Sequence, residues 1–166
     1  MGSAFERYSG FAPVFDENSR VLVLGSFPSV KSRQDGFYYG NPQNRFWRML
    51  CGFFQEEIPA TVAGKIEFLL RNKVALWDMV ASCEIVGSAD ASIKREEVVD
   101  VHTILEHAPI ECVLCNGTKS YELLVKQFPQ FLSITKKMPS TSPANPRYKE
   151  AEWHTALYEI FFGRYE

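Results

Sequence analysis

Three stretches of the chain are apolar with almost no interruption. Residues 20–25 (RVLVLG), 73–78 (KVALWD) and 111–117 (ECVLCNG) are short, rich in Val and Leu, and end on Gly, Asp or Asn-Gly. Runs of this length and composition predict strands buried on both faces. Residues 131–135 (FLSIT) form a weaker fourth. Between them, apolar positions recur at helical spacing. Phe46, Trp47, Leu50, Phe53 and Phe54 follow Asn41-Pro42, which reads as a cap and a first helical residue. Val62, Ile66, Leu69 and Leu70 follow Thr61; Val101, Ile104 and Leu105 follow Asp100. Tyr121, Leu124, Val125 and Phe128 follow Thr118, and Trp153, Leu157, Ile160 and Phe161 close the chain. Doubly buried strands alternating with helices predict an α/β fold: a three-layer α/β/α sandwich around a central, mainly parallel four-stranded sheet, with right-handed crossovers. The 166 residues suffice for one domain, with 1–19 as an N-terminal extension packing on or preceding it.

In such a sheet, ligands bind outside the carboxyl ends of the strands. Those ends are GSFPS (25–29), DMVASC (78–83), NGTKSY (116–121) and MPSTSPAN (138–145), the stretches richest in Gly, Pro, Ser and Asn. Charge adds one feature. Residues 131–149 carry Lys136, Lys137, Arg147 and Lys149 with no acidic residue, a local +4; with a total of −2, the rest of the chain carries −6. A basic loop on an acidic body is either a phosphate footprint or a solvated face. No apolar run approaches the ~20 residues of a membrane span, and MGSAFERYSG lacks an apolar signal region, so a soluble, cytoplasmic protein is expected.

Familiar catalytic signatures are absent. Cys112 and Cys115 form a C-x-x-C, but on a strand residues three apart point to opposite faces and cannot share a metal. They read as reduced core thiols, as do Cys51 and Cys83, and no metal site is expected. His102, His107 and His154 have no nucleophile in a recognisable motif, there is no Walker loop, and GSFPS has one glycine where a dinucleotide fingerprint needs three. What remains is a rim of amides, aromatics and small hydroxyls beside a basic loop. Amides read base edges, aromatic rings stack on bases, and small loops bring backbone N–H groups to phosphates. A nucleobase turned out of a duplex suits such a pocket.

LGSFPS, GFYYGNPQNRFW, LWDMVASCEIVGSADASI, LCNGTKSY and MPSTSPAN resemble the successive motifs of the hypoxanthine-DNA glycosylases, a branch of the uracil-DNA glycosylase superfamily. The resemblance runs from about residue 20 to the C-terminus; YYGNPQNRFW and PSTSPAN are its most specific parts. The mismatch-specific uracil/thymine glycosylases are similar around NRFW and are the alternative. The resemblance implies a monofunctional glycosylase that hydrolyses the N-glycosidic bond of a deaminated base in duplex DNA, as a monomer and without cofactor or metal. It also implies catalytic roles for Asn41 and Asn116. The chain departs from related uracil enzymes at Phe27, where many carry Asp or Asn, and at Met138, where many carry His.

On this reading the base pocket is expected from Gly25, Ser26, Phe27, Tyr38, Tyr39, Gly40 and Asp78. Tyr39 or Tyr38 would form a stacking wall, Gly40 would let the base approach closely, and Asp78 would accept the N1–H of hypoxanthine or merely cap a turn. Contacts to the DNA are expected from Ser29, Lys136, Lys137, Ser140, Thr141, Ser142, Asn145 and Arg147. Two other classes stay open: a non-catalytic nucleic-acid-binding α/β domain, which would tolerate loss of Asn41, and a hydrolase of free nucleosides, which would not need the basic loop.

Overall fold

A computed structural model describes residues 6–85 and 94–163. The chain runs β1 (Glu6–Ser9), β2 (Val21–Gly25), α1 (Val30–Asp35), α2 (Phe46–Phe53), α3 (Val62–Arg71), β3 (Val74–Asp78), β4 (Val80–Ile85), β5 (Lys94–Val98), α4 (His102–Leu105), β6 (Cys112–Asn116), α5 (Thr118–Gln127), β7 (Thr135–Met138) and α6 (Glu150–Phe162). Strands β3, β2, β6 and β7 lie side by side in that order, all parallel. The tail of the LWDMVASCEIVGSADASI motif, residues 86–93, lies outside the described residues.

Alternate side chains of the three apolar strands feed two separate cores, as the pleat requires. Val21, Val23, Val74, Leu76, Cys112 and Leu114 pack with Phe46, Trp47 and Leu50 of α2, Phe68 and Leu69 of α3, and Trp153 and Leu157 of α6. Leu22, Leu24, Ala75, Val113 and Cys115 pack with Ile104 of α4 and Leu123 and Leu124 of α5. Helices therefore cover both faces of the parallel sheet, which gives the three layers. Cys112 and Cys115 fall in different cores, and all four cysteines are free and buried. Burial pushes the Cys115 thiol up to about 12 and the Cys51 thiol to about 11.

Two elements depart from the expectation. The fourth strand is Thr135–Met138, and the FLSIT stretch is instead most of a 3₁₀ helix, Pro129–Ile134. Pro129 has no N–H for a ladder and its fixed φ favours a helical first turn. A second, antiparallel sheet, β1-β4-β5, packs beside the domain. Its outer strands are charged and polar, its central strand β4 sends Val80 and Cys83 into the second core, and Arg7 pairs with Glu97 at 3.0 Å across it. Residues 6–19 are bound to the domain: β1 joins this sheet, Val14 exchanges backbone hydrogen bonds with Leu76 at 2.9 Å, and Tyr38 Oη donates to Ala12 O at 2.9 Å. Among the described residues no helix is long and apolar enough to cross a membrane.

Candidate active site

The parallel register sets Gly25 beside Asp78, and Asn116 ends the strand on the other side of β2. The central strand thus ends in a glycine between two polar residues, and the reason for the glycine is steric. A methyl group on Gly25 would lie 2.4 Å from Asp78 Oδ1 and 3.0 Å from Tyr39 Oη. Asp78 is 5% exposed, and the chain turns directly after it, with Met79 N donating to Gly25 O at 2.8 Å and Val80 N to Ser26 O at 3.0 Å.

Asn116 is bracketed by one residue. Its Nδ2 donates to Thr141 Oγ1 at 3.0 Å and its Oδ1 accepts from Thr141 N at 2.9 Å, which fixes the amide orientation. Gly117 follows with φ +95°, a left-handed conformation open to glycine, and its bare Cα faces Ser140. The β6–α5 corner and the last motif loop are thereby joined.

Large side chains of the core hold the remaining loops. Trp47 Nε1 donates to Tyr38 O at 3.0 Å and Trp153 Nε1 to Pro139 O at 2.8 Å. Arg45 donates through Nη2 to Ser142 O and, at 2.8 Å, to Asn145 O, while its backbone N–H donates to Thr141 O at 3.0 Å. Its guanidinium lies 4.3 Å from the centre of the Tyr148 ring. Burial, and then Glu150, raise the Tyr148 hydroxyl to about 12, so it stays protonated. Arg45 and Trp153 are not among the expected site residues because no local pattern shows the carbonyls they bind, 96 to 100 positions away for Arg45 and 14 for Trp153.

The structure gives several of the expected site residues other surroundings. Tyr38 is 2% exposed and packed against Phe11 and Phe37, so it belongs to the core and is no wall for a base. Phe27 is likewise packed into the second core, under Arg33 at 5.9 Å. The missing side chain of Gly40 faces Asp35, whose Cβ and Oδ2 lie 3.1 Å from where its Cβ would be, so a side chain there would press on the same loop. Gly40 N donates to the buried Ser32 Oγ at 2.9 Å, and Ser29 Oγ caps α1 by accepting from Ser32 N at 3.1 Å. Asn41 does not cap α2, which starts at Phe46. Its Oδ1 accepts from Gln43 N at 2.9 Å in an Asx turn, and Asn44 Oδ1 takes the Phe46 N–H instead. Thr141 is fully buried and cannot reach a phosphate with its side chain.

The basic segment is also redistributed. Lys136 and Lys137 lie within β7, short of its end, where Lys136 pairs with Glu159 at 3.1 Å and Lys137 sits 6.0 Å from the Tyr121 ring centre. Arg147 and Lys149 are exposed on the loop beyond, and Asn145 Oδ1 accepts from Arg147 N at 3.0 Å. Ser140 Oγ and Ser142 Oγ accept backbone N–H groups of the same loop. A groove of about 570 Å³ runs between β7 and α6, but neither Gly25, Asp78, Tyr39 nor Asn116 lines it. The strand-end cluster, with its buried polar groups, is the better chemical site. Among the described residues, no group of three His, Cys, Asp or Glu side chains is placed to hold a metal ion.

The sequence model of the uracil DNA glycosylase superfamily matches residues 12–161. The chain belongs to the uracil DNA glycosylase superfamily. Within it, the chain is 38% identical over 142 residues to a hypoxanthine DNA glycosylase of Methanosarcina barkeri, covering 83% of this chain and 88% of that protein. It is 37% identical over 155 residues to the hypoxanthine DNA glycosylase of Methanosarcina acetivorans, covering 89% and 96%. A solution NMR structure from Methanosarcina acetivorans, provisionally described as a uracil DNA glycosylase, superposes with a TM-score of 0.80 at 33% identity, covering 93% of this chain and 99% of that one. The superfamily fold is the parallel sheet flanked by helices described above.

Proposed function

We propose that this protein is a monofunctional DNA glycosylase that turns hypoxanthine out of duplex DNA and hydrolyses its N-glycosidic bond. The observation that carries the reading is the 37–38% identity to two hypoxanthine DNA glycosylases across more than four-fifths of the chain. The strand-end cluster supports it chemically. The Asp78 carboxylate accepts the N1–H of hypoxanthine, a proton that adenine lacks, and the Asn116 amide meets the purine as its charge grows. Asn41 orients the attacking water. None of the cluster's side chains carries an amine, so water and not a lysine is the nucleophile. The water oxygen bonds to C1′ as the C1′–N9 bond breaks, the bonding pair leaves with the purine, and the water's proton goes to solvent or base.

Neutral amides suffice when the transition state is a sugar cation and a departing purine anion, because they need only orient water and donate to developing charge. Of the two tyrosines, the half-buried Tyr39 is left to meet the base, its ring stacked on Phe46 with centroids 4.3 Å apart. Ser29, Ser140, Ser142, Asn145 and Arg147 lie on loops beyond the strand ends and are proposed to seat the backbone, with exposed Arg147 as the principal cation. Lys136 and Lys137 contribute to the field from the sheet edge.

Single-turnover assays on otherwise identical duplexes with one deoxyinosine or one deoxyuridine test this reading, with free inosine as a third substrate. Faster release from deoxyinosine duplex than from either of the others is expected. Preference for free inosine would identify a nucleoside hydrolase, and preference for deoxyuridine would place the chain with the uracil enzymes.

A further inference from the structure

Tyr39 carries two costs and one favourable contact in one residue. Its φ is +54°, a left-handed conformation that bulky residues seldom adopt. Its ring is held against Phe46. Its hydroxyl is buried without a hydrogen-bond partner, although the Asn116 amide lies near enough to act on its ionisation. Phenylalanine would keep the stack and remove the stranded hydroxyl, so the ring alone does not account for tyrosine. The hydroxyl's position does. It lies 3.0 Å from the point a Gly25 side chain would occupy, between Asp78 on one flanking strand and Asn116 on the other.

We propose that the Tyr39 hydroxyl is a positioning group for base excision: as the bond to a flipped base breaks, it fills the slot left by Gly25, donates to Asp78, and holds that carboxylate in one arrangement relative to the Asn116 amide, whose second N–H stays open to the purine. The proposal rests on the reading of this cluster as the base pocket of a glycosylase. A bond that is unmade in the free protein and forms only as the base departs favours the transition state over the bound complex, which is how an interaction raises the maximal rate. Burial first, and then the Asp78 charge, raise the hydroxyl's pKa far above the ordinary tyrosine value, so it remains a donor throughout any practical assay range.

The test is Tyr39→Phe assayed beside the unaltered protein on deoxyinosine duplex under single turnover, with the rate followed against enzyme concentration. The maximal rate is expected to fall tenfold or more, equally at pH 6 and pH 9, with half-saturation within twofold and an unchanged or higher melting temperature. A maximal rate within twofold of the unaltered protein, or a loss confined to half-saturation, overturns the proposal. An unaltered protein that leaves deoxyinosine intact rejects the glycosylase reading instead. Should Tyr39→Phe melt lower, Gly25→Ala decides, because its methyl group occupies the same slot. Adding Tyr39→Phe to Gly25→Ala is expected to slow excision by less than threefold more, and fully multiplicative losses overturn the proposal.

Discussion

Thr141→Val exchanges one buried hydroxyl for a methyl group of nearly the same volume, at a residue with no exposed surface. The backbone bonds survive, with Thr141 N still donating to Asn116 Oδ1 and Thr141 O still accepting from Arg45 N. What is lost is the 3.0 Å bond from Asn116 Nδ2 to Thr141 Oγ1. One such bond contributes about 1 kcal/mol, and stranding its donor costs ~1–3 kcal/mol when the donor is buried. Asn116 is half-buried and can turn that donor to water, so the low end applies, about 1–2 kcal/mol in all. For a domain of this size that corresponds to a melting point lower by roughly 2–8 °C. The kinetic consequence separates a bracket from a catalyst. If Asn116 must present its amide at a fixed angle to the base, freeing one of its two tethers is expected to raise the barrier by about 1.4 kcal/mol, a tenfold slower excision. Urea unfolding and single-turnover excision from deoxyinosine duplex measure the two effects on one preparation. A variant that loses the stability yet excises within twofold of the unaltered rate would make the Asn116–Thr141 pair a structural tie with no part in excision.

Asn41→Ala is expected to add roughly 3–4 kcal/mol to the excision barrier, as for loss of one polar catalytic contact, against about 1 kcal/mol of stability if it serves only its Asx turn; comparing the single-turnover rate with the unfolding midpoint distinguishes them. Asp78→Asn is expected to raise the ratio of uracil to hypoxanthine excision with little change in duplex affinity, because an amide both accepts and donates; an unchanged ratio with a lower melting temperature would return Asp78 to a turn-capping role. Replacing Arg147 is expected to reduce the salt slope of DNA binding by about one unit, whereas replacing Lys136, paired with Glu159 at 3.1 Å, leaves it nearly unchanged; equal slopes for both variants would remove the loop from the DNA footprint.

The three buried strands were legible because each is apolar on both faces and so reads as an unbroken run. The edge strand Thr135–Met138 was not, since the sequence TKKM exposes two lysines and looks like loop, while the apolar residues before it satisfy a 3₁₀ turn. The antiparallel sheet escaped for the same reason: strands such as Lys94–Val98 (KREEV) are mostly charged, and charge patterns mark no period that a core would impose. At the site, Asp78 and Asn116 could be read from the rule that parallel strands present their carboxyl ends to ligands. Burial could not. Tyr38 and Tyr39 are neighbours of one type, yet one hydroxyl is satisfied by Ala12 O and the other stands over Gly25. Thr141 looks like its flanking serines until Asn116, 25 positions away, is seen to hold it from both sides.

The most direct test of the account is product analysis on a duplex carrying a single deoxyinosine, incubated with excess protein in the presence of a chelator. Free hypoxanthine is expected in equal amount to abasic sites, with the strand intact until alkali cleaves it at the former deoxyinosine. Strand breakage without alkali would contradict hydrolysis by water alone, and a duplex that releases neither hypoxanthine nor, with deoxyuridine in its place, uracil would contradict the glycosylase assignment itself.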